Sequence, residues 1–269
     1  MNKLPLGEAS EYPREYAPQV LCPVARSEAR DSMGVGVHLP FSGVDIWNAY
    51  ELTWLDASGK PRAGIATLTV PASSPNIVES KSLKLYLGSL AMSRYGSVGD
   101  LSAIIARDVS NTAGADVDVV IQPATDAMNL AIAALPGICI DDGRLRDDPR
   151  HPDGALLQVG DEPAEENLHS HLLRSLCPVT GQPDTGSVLI HYSGPRIDPD
   201  SLLTYFVSFR EHQDFHEACV ERMFLDIKAH CRSERLTVYA RYNRRGGIDI
   251  NPFRSDCDDV AENLRLWRQ

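Results

Sequence analysis

The segment SLCPVTGQPDTGS, residues 175–187, contains the residue types best suited to covalent chemistry. Asp184 follows Cys177 by seven residues, and the surrounding Gly and Pro residues indicate a fixed loop that ends where a strand begins. A turn can bring the two side chains together, and a carboxylate that accepts the thiol proton would favour the nucleophilic thiolate. The composition also allows a small buried cysteine beside an exposed aspartate.

The segment NIVESKSLKLYL, residues 76–87, presents a carboxylate, a hydroxyl and an amine immediately before a predicted helix. Glu79, Ser80 and Lys81 could bind the polar edge of a ligand or, together with free helix N–H groups, a phosphate. The simpler alternative is helix capping, with Ser80 as the N-cap and Lys81 in solvent.

The segment DFHEACVER, residues 214–222, places His216 and Glu217 next to each other near the start of another predicted helix. The pair could provide an acid–base group and a ligand for the edge of a purine. It could also be no more than a charged first turn, which helix N-termini favour when the charge is negative.

The segment YNRRGGIDINPFRS, residues 242–255, contains a basic, glycine-rich turn in an otherwise acidic chain. The guanidinium groups of Arg244 and Arg245 could bind a phosphate through paired N–H groups. Gly246 and Gly247 would permit close approach of the backbone to a ligand. A hairpin turn with solvated arginines is the alternative interpretation.

Hydrophobic periodicity predicts the elements that must hold these segments in place. In each half of the chain it predicts the order strand, strand, helix, helix, strand, and Asp100 is a candidate cap for the second helix. The stretches SLKLYLGSL (82–90) and SLLTYFVSF (201–209) also share four identities at an offset of 119. The sequence therefore predicts a duplicated α+β unit, with two antiparallel sheets that are each backed by a helix pair.

Composition shifts along the chain predict four parts. Residues 1–36 are predicted to be an extended N-terminal segment, and residues 141–166 an acidic linker with scattered Pro and Gly that can include one edge strand. The two predicted modules are residues 37–140, which carry the E-S-K letters, and residues 167–269, which carry the candidate Cys and Asp.

The overall composition limits the classes of function. The 269 residues carry 26 basic and 37 acidic side chains, a net charge of −11, which disfavours binding to nucleic acid or anionic membranes and favours a small-molecule ligand. None of the six cysteines forms a C-x-x-C pair, and Cys22, which repeats the letters L-C-P-V without a following Q-P-D, is assigned no role. We find no signal-peptide pattern and no apolar run long enough to cross a bilayer, so we expect a cytoplasmic protein with reduced thiols.

Taken together and in this order, the motifs resemble those of the QueF family, the NADPH-dependent 7-cyano-7-deazaguanine reductases, in its long two-module form. The resemblance runs from about Leu39 to the C-terminus and includes LPFSGVDIWNAYELTWL, NIVESKSLKLYL, GICIDD, CPVTGQPDTGS, SFREHQDFHE and ARYNRRGGIDINPFRS. It implies two tandem tunnelling-fold (T-fold) modules with the order ββααββ. It also implies reduction of a nitrile on a 7-deazapurine to a primary amine with two NADPH, in queuosine biosynthesis for tRNA, without direct contact to nucleic acid.

The resemblance implies a role for each motif residue. Cys177 would add to the nitrile carbon as a covalent thioimide, Asp184 would deprotonate the thiol and pass a proton to nitrogen, and His216 would contact substrate and assist proton transfer. The implied substrate-binding residues are Ile77, Val78, Glu79, His216 and Glu217. The implied NADPH-binding residues are Ser80, Lys81, Arg245 and Gly246. No metal ligand is implied.

Two other functions stay open at this point. His169 and His171 precede Cys177 and could belong to a metal set, as in a zinc-dependent T-fold enzyme that acts on a pterin or GTP. The chain could also be a purine-binding or scaffold protein without activity. Because the candidate Cys and Asp occur only in the second half and E-S-K only in the first, we expect one composite site per chain at the interface of the modules. The resemblance further suggests a homodimer.

Overall fold

The computed structural model describes residues 12–126 and 131–269, and the chain forms two compact units. Unit one comprises the described parts of Met1–Ser32 and Asp45–Leu130, together with Arg244–Asp249. Unit two comprises Met33–Val44, Ala131–Asn243 and Ile250–Gln269. The division does not follow chain order, because a short stretch from the second half belongs with unit one.

Unit one combines strands and helices. Its elements are β1 (Pro23–Ala25), α1 (Arg26–Ser32), β2 (Ser42–Leu55), β3 (Pro61–Pro71), β4 (Asn76–Val78), α2 (Ser80–Ser89), α3 (Val98–Ala113) and β5 (Asp118–Pro123). The first residues of β2 belong to unit two, and those from Asp45 onward belong to unit one. Three strands are neighbours in the order β5–β3–β2, and β3 pairs antiparallel with β5. β1 pairs antiparallel with β4, so the N-terminal segment supports the residues just ahead of α2.

Unit two contains a sheet with the strand order β6–β7–β8–β9–β10. The elements are β6 (Ile138–Cys139), β7 (Val159–Leu176), β8 (Pro183–Ile197), α4 (Pro199–Val207), α5 (His216–His230), β9 (Arg235–Tyr242) and β10 (Ile248–Ser255). The residues of β10 from Ile250 onward belong to unit two. β6 and β7 are parallel, whereas the β7–β8, β8–β9 and β9–β10 pairs are antiparallel. α4 packs against β7 and α5 against β9.

The helix face predicted from periodicity in the second half is buried. Val220, Met223, Phe224 and Ile227 of α5 have no solvent exposure. Burial of each such side chain contributes about 1.5–3 kcal/mol. Packing against the sheet, more than intrinsic helix propensity, therefore holds α5 in place.

The α+β class and the mainly antiparallel pairing are confirmed. The structure differs from the sequence prediction in residues 1–36, which contain β1 and α1, while β7 begins inside residues 141–166, where the prediction allows one edge strand. The strand β1 leaves no periodic signal in the sequence, because its pairing uses backbone groups and its side chains do not alternate between apolar and polar. No helix among the described residues has the length and apolar character needed to cross a membrane.

The prediction that Asp100 caps the second helix is wrong. Ser97 is the N-cap of α3, and its Oγ accepts a hydrogen bond of 3.1 Å from the backbone N–H of Asp100. Asp100 instead lies in the first turn, where the helix dipole favours a negative charge. Ser and Asp are both good caps by type, and the local sequence does not distinguish which one has the extended backbone.

A buried ion pair joins α5 to β10 in unit two. The Nε and Nη2 atoms of Arg254 donate to Glu221 Oε1 at 3.0 and 2.9 Å, and neither side chain is more than 3% exposed. Arg254 Nη1 also donates to the backbone oxygens of Val44 and Phe253. Such a pair need not add net stability, but removal of one partner leaves a buried charge without compensation.

We predict that Glu221→Ala lowers the free energy of unfolding by about 3–5 kcal/mol, because Arg254 then loses the carboxylate that offsets its buried charge. Urea unfolding monitored by circular dichroism measures the change. Arg196→Ala is the matched control, since it breaks the pair with Glu166 in the same unit but at a half-exposed arginine. If Glu221→Ala lowers the free energy of unfolding by no more than the control does, the prediction is contradicted.

Candidate active site

The β7–β8 hairpin positions the candidate nucleophile. Its register pairs Ser175 with Asp184 and Leu176 with Pro183, and Cys177 follows in the connecting loop. The backbone N–H of Cys177 donates to the oxygen of Gln182 at 2.9 Å, which continues the ladder by one step. Cys177 and Asp184 therefore lie at the same end of the hairpin, and both side chains are buried.

Gly186 explains part of the Gly-rich composition of this segment. It pairs with Tyr242 of β9, and a Cβ atom at this position would lie 2.7 Å from the backbone oxygen of Arg241. A larger residue would push the two strands apart. The glycine thus allows β9 to approach closely and places Tyr242 beside the hairpin end.

The start of α5 is attached to the same end of the hairpin. The N–H of Leu176 donates to the oxygen of His212 at 2.8 Å, and the N–H of Asp214 donates back to the oxygen of Leu176 at 3.2 Å. These two bonds hold the loop that leads into α5. As a result, His216 Nε2 lies 3.4 Å from Asp184 Oδ2.

Tyr242 fixes the orientation of the His216 ring. The two rings are stacked, with centroids 3.8 Å apart and planes inclined by 9°. Tyr242 is fully buried, and burial raises its pKa well above the usual value of 10.0. Sequence inspection missed Tyr242, whose only signal was its place at the end of a predicted strand.

The arrangement in unit two brings together a thiol, a carboxylate and an imidazole in a largely buried cluster. The Asp184–His216 pair can share a proton and deliver it to a neighbouring group. Glu217 follows His216 in the first turn of α5 and is 3% exposed. The geometry suits nucleophilic addition with proton transfer, and the individual roles of these residues stay predictions.

The other buried cysteines have a different character. Burial raises the pKa of the Cys219 thiol, with the Asp214 charge adding to the effect, and burial alone raises the pKa of Cys231 to about 12. Thiols in such surroundings remain protonated and unreactive. None of the six cysteines, all of which lie within the described residues, forms a disulfide.

In unit one, Glu79 is the N-cap of α2, and the alternative that Ser80 caps this helix is wrong. The Glu79 oxygens accept hydrogen bonds from the backbone N–H groups of Lys81 and Ser82 at 2.7 and 2.8 Å. The side chain is completely buried. Burial raises the pKa of Glu79, although the two backbone hydrogen bonds and the charges of Lys81 and Arg245 oppose this effect.

The strand β1 supports the residues around Glu79. Ile77 and Val78, both buried, pair with Val24 and Pro23, and the N–H of Glu79 donates to the oxygen of Cys22 at 2.9 Å. The L-C-P-V letters at Cys22 therefore serve to hold the segment before α2. Sequence inspection missed this function because strand pairing between distant segments leaves no local signal.

The basic turn of unit one needs its two glycines. Gly246 and Gly247 have φ values of 63° and 80°, in the left-handed region. A Cβ atom on Gly246 would lie 2.9 Å from Lys84 Nζ, and one on Gly247 would lie 2.4 Å from the carboxyl carbon of Glu51. The turn therefore runs directly beneath these two charged side chains.

Three cations gather at this turn in an acidic chain. Lys84 lies over Gly246, the guanidinium of Arg244 lies 4.5 Å from the ring centroid of Tyr50, and Arg245 is near enough to Glu79 to affect its pKa. Such a donor set suits the phosphate groups of a nucleotide cofactor. Lys84 was missed, although it stands one helical turn after Lys81 and so faces the same side of α2.

The two histidines considered for a zinc-dependent enzyme do not group with the candidate nucleophile in the described part of the chain. Among the described residues, His169 and His171 form a group with Cys139, and Cys177 does not belong to it. The geometry therefore gives no support to a metal bound at the candidate nucleophile.

Comparison with known proteins identifies related sequences along nearly the whole chain. A family model described as "Nitrile reductase, 7-cyano-7-deazaguanine-reductase N-term" matches residues 12–121, and one described as "QueF-like protein" matches residues 183–261. Proteins named NADPH-dependent 7-cyano-7-deazaguanine reductase from Paraburkholderia phytofirmans and Paraburkholderia phymatum are 51% and 50% identical over 268 residues. One from Burkholderia orbicola is 52% identical over 270 residues. Each match covers 98% of this chain and 98% of the relative.

We predict that Glu79→Gln changes the pH dependence of stability. Because burial raises the pKa of Glu79 above its usual 4.5, the folded protein binds this proton more tightly than the unfolded chain does. The contribution of Glu79 to stability is therefore fully present below pH 4.5 and is lost as pH rises through the raised pKa. Glutamine keeps an acceptor for the cap but does not ionise.

The measurement is the free energy of unfolding from urea titrations between pH 4.5 and pH 8. The free energy of unfolding of the wild type, minus the free energy of unfolding of Glu79→Gln, should decrease as pH rises across this range. Glu162→Gln, which removes an exposed carboxylate from β7, controls for loss of charge alone. A difference that is constant with pH, or that rises with it, would rule out the raised pKa.

Proposed function

The chain belongs to the QueF family of 7-cyano-7-deazaguanine reductases, and on that premise we propose that it reduces the nitrile of 7-cyano-7-deazaguanine to the amine of 7-aminomethyl-7-deazaguanine with NADPH. The observation that carries this proposal is identity of about one half with reductases of that name over almost their entire length. The reaction belongs to queuosine biosynthesis. It acts on the free base before its insertion into tRNA, which agrees with the net charge of −11.

We also propose that the chain contains two T-fold modules, works as a homodimer and is located in the cytoplasm. The four shared residues between 82–90 and 201–209, and the antiparallel strands with helices in each unit, support the duplication. The modules would correspond to residues 37–140 and 167–269.

Conversion of a nitrile to a primary amine requires two hydride ions and two protons. When bound, two NADPH in turn supply the two hydrides, which carry four electrons. The protein must therefore activate the nitrile carbon, move protons to the nitrogen and keep water from the carbon while it is an imine.

Cys177 activates the nitrile carbon. Its sulfur forms a bond to this carbon while one bond of the triple bond breaks, which produces a thioimide with a C=N double bond. The thiol proton goes to the nitrogen, so the addition itself consumes no proton and no electron. After the first reduction, the C–S bond breaks and the sulfur leaves as thiolate, which restores Cys177.

Asp184 and His216 move the protons. Asp184 lies at the hairpin end beside Cys177 and 3.4 Å from His216 Nε2, so it can accept the thiol proton while the imidazole holds its orientation. The stack on Tyr242 keeps the imidazole in place through the catalytic cycle. The same pair can return protons to the substrate nitrogen.

Buried carboxylates recognise the base. The 7-deazaguanine ring presents N–H donors along one edge, and Glu217 in unit two and Glu79 in unit one are nearly or fully buried acceptors for them. Ile77 and Val78, which precede Glu79, contribute apolar and backbone contacts. A substrate lacking these donors would lose its hydrogen bonds to the buried carboxylates, which penalises binding.

Unit one binds the phosphate groups of NADPH. Ser80 and Lys81 form the first turn of α2, where the Ser80 hydroxyl, the Lys81 ammonium and the helix dipole favour an anion. Arg245 and Gly246 lie in the basic turn with Lys84 above them. This arrangement explains cofactor binding without the G-x-G-x-x-G sequence of dinucleotide folds.

Mixing the protein with 7-cyano-7-deazaguanine and NADPH tests the proposal directly. We expect NADPH absorbance to fall, with two NADPH consumed per amine formed, and Cys177→Ala to abolish both turnover and the covalent substrate adduct detected by mass spectrometry. Cys22→Ser is the matched control, because Cys22 occurs in the same L-C-P-V string, and it should retain the adduct. Absence of NADPH oxidation would refute the function, and an adduct in Cys177→Ala would displace Cys177 as the nucleophile.

We predict that Arg245→Ala raises the KM for NADPH by about tenfold or more, because loss of a charge-assisted hydrogen bond to phosphate removes about 1.5–3 kcal/mol. The rate of adduct formation at Cys177, which needs no NADPH, should change little. Arg62→Ala removes an exposed cation from the same unit and serves as the control. Equal losses in NADPH affinity and adduct formation would show that Arg245 has a structural function only.

A further inference from the structure

A second group of reactive side chains lies in unit two, apart from the candidate nucleophile. Cys139 Sγ and one ring nitrogen each of His169 and His171 all lie within 4.8 Å of one another. Donor atoms around a tetrahedral zinc ion are roughly 3.5 Å apart. Small rotations of the three side chains are therefore enough to close the group around a metal.

The strands bring these residues together by register. Cys139 of β6 pairs with His169 of β7, and His171 stands two residues further along β7, at the irregularity of the ladder between Ser170 and Leu173. The two rings are 5.3 Å apart between centroids. Cys139 is exposed, His169 buried and His171 half-buried, which gives the group an open side toward solvent.

The hydrogen bonds of the two rings leave the same nitrogen available on each. Nδ1 of His169 lies 3.0 Å from the oxygen of Pro136, and Nδ1 of His171 lies 2.8 Å from Oγ of Ser187. The carbonyl oxygen of Pro136 can only accept, so Nδ1 of His169 carries the proton and Nε2 keeps a lone pair for a metal. The Ser187 hydroxyl can also accept from Nδ1 of His171, and in that tautomer Nε2 of His171 is available in the same way.

A carboxylate next to the group adds negative charge. Asp141 follows Cys139 by two residues, and its Oδ1 accepts hydrogen bonds from Ser170 Oγ at 2.6 Å and from the N–H of His171 at 3.1 Å. The carboxylate thus holds the histidine strand in place and favours a cation nearby.

We propose that Cys139, His169 and His171 form a zinc site with an open fourth position. Two imidazoles and a thiolate suit zinc better than magnesium or calcium, which prefer oxygen ligands. The site is separate from the active site, because Cys177 comes six positions after His171, a span of up to about 20 Å at roughly 3.3 Å per residue along β7. The metal would also fasten the two-residue strand β6 to β7.

Cobalt(II) titration of the full chain, freed of metal with a chelator and kept reduced with a phosphine, tests the proposal. One equivalent should produce the near-ultraviolet absorption of a thiolate–cobalt bond, and zinc should displace it. Cys139→Ser should abolish this absorption, and His171→Gln should weaken cobalt binding tenfold or more. Cys177→Ala should keep the absorption, as should Cys257→Ser, which alters a second His–Cys–Asp group of the chain.

Thermal unfolding gives a readout that does not depend on cobalt or on activity. Zinc at one to two equivalents should raise the Tm of the wild type and of Cys177→Ala but not that of Cys139→Ser. Cobalt absorption that persists in Cys139→Ser, or that disappears only in Cys177→Ala, would overturn the proposal. A Tm of the wild type that zinc does not change would overturn it as well.

Discussion

The register of the β7–β8 hairpin is the constraint on which unit two depends. With Ser175 opposite Asp184, the carboxylate faces the start of α5, and the hairpin end also bonds to the loop ahead of His216. A shift of one residue would turn Asp184 to the opposite face of the sheet. The ladder contains an irregularity between Ser170 and Leu173, which includes His171 and comes before the region that leads to Cys177.

Two buried carboxylates, one in each unit, are tolerated because each has partners built into the fold. Glu79 is held by two N–H groups of the helix that it caps, and Asp184 by the nearby imidazole of His216. These partners do not remove the whole penalty of burial, as the raised pKa of Glu79 shows. Groups held in this way are already desolvated and oriented, so a ligand that completes their hydrogen bonds gains affinity without further ordering.

The parts of the fold that sequence could predict are those with a strong local period. The alternation in Ile46–Trp54 and Leu236–Tyr242, and the apolar stripe of α5, correspond to observed strands and a buried helix face. β1 and the first half of β7 lack such a period, because backbone pairing and not side-chain burial defines them. The capping residues were harder to predict, since Ser97 and Glu79 are distinguished from other possible caps by their extended backbone conformation.

The sequence by itself determined the chemical inventory of this protein: one cysteine in a Gly- and Pro-rich loop, the E-S-K segment, the adjacent His and Glu, and a basic turn in an acidic chain. Only the tertiary structure decided which of these groups meet. It joined His216 to Asp184, placed Lys84 over Gly246, and grouped His169 with Cys139 instead of Cys177. The physical reason is that residue type and period act over a few positions, whereas these contacts arise from strand register and packing between distant segments.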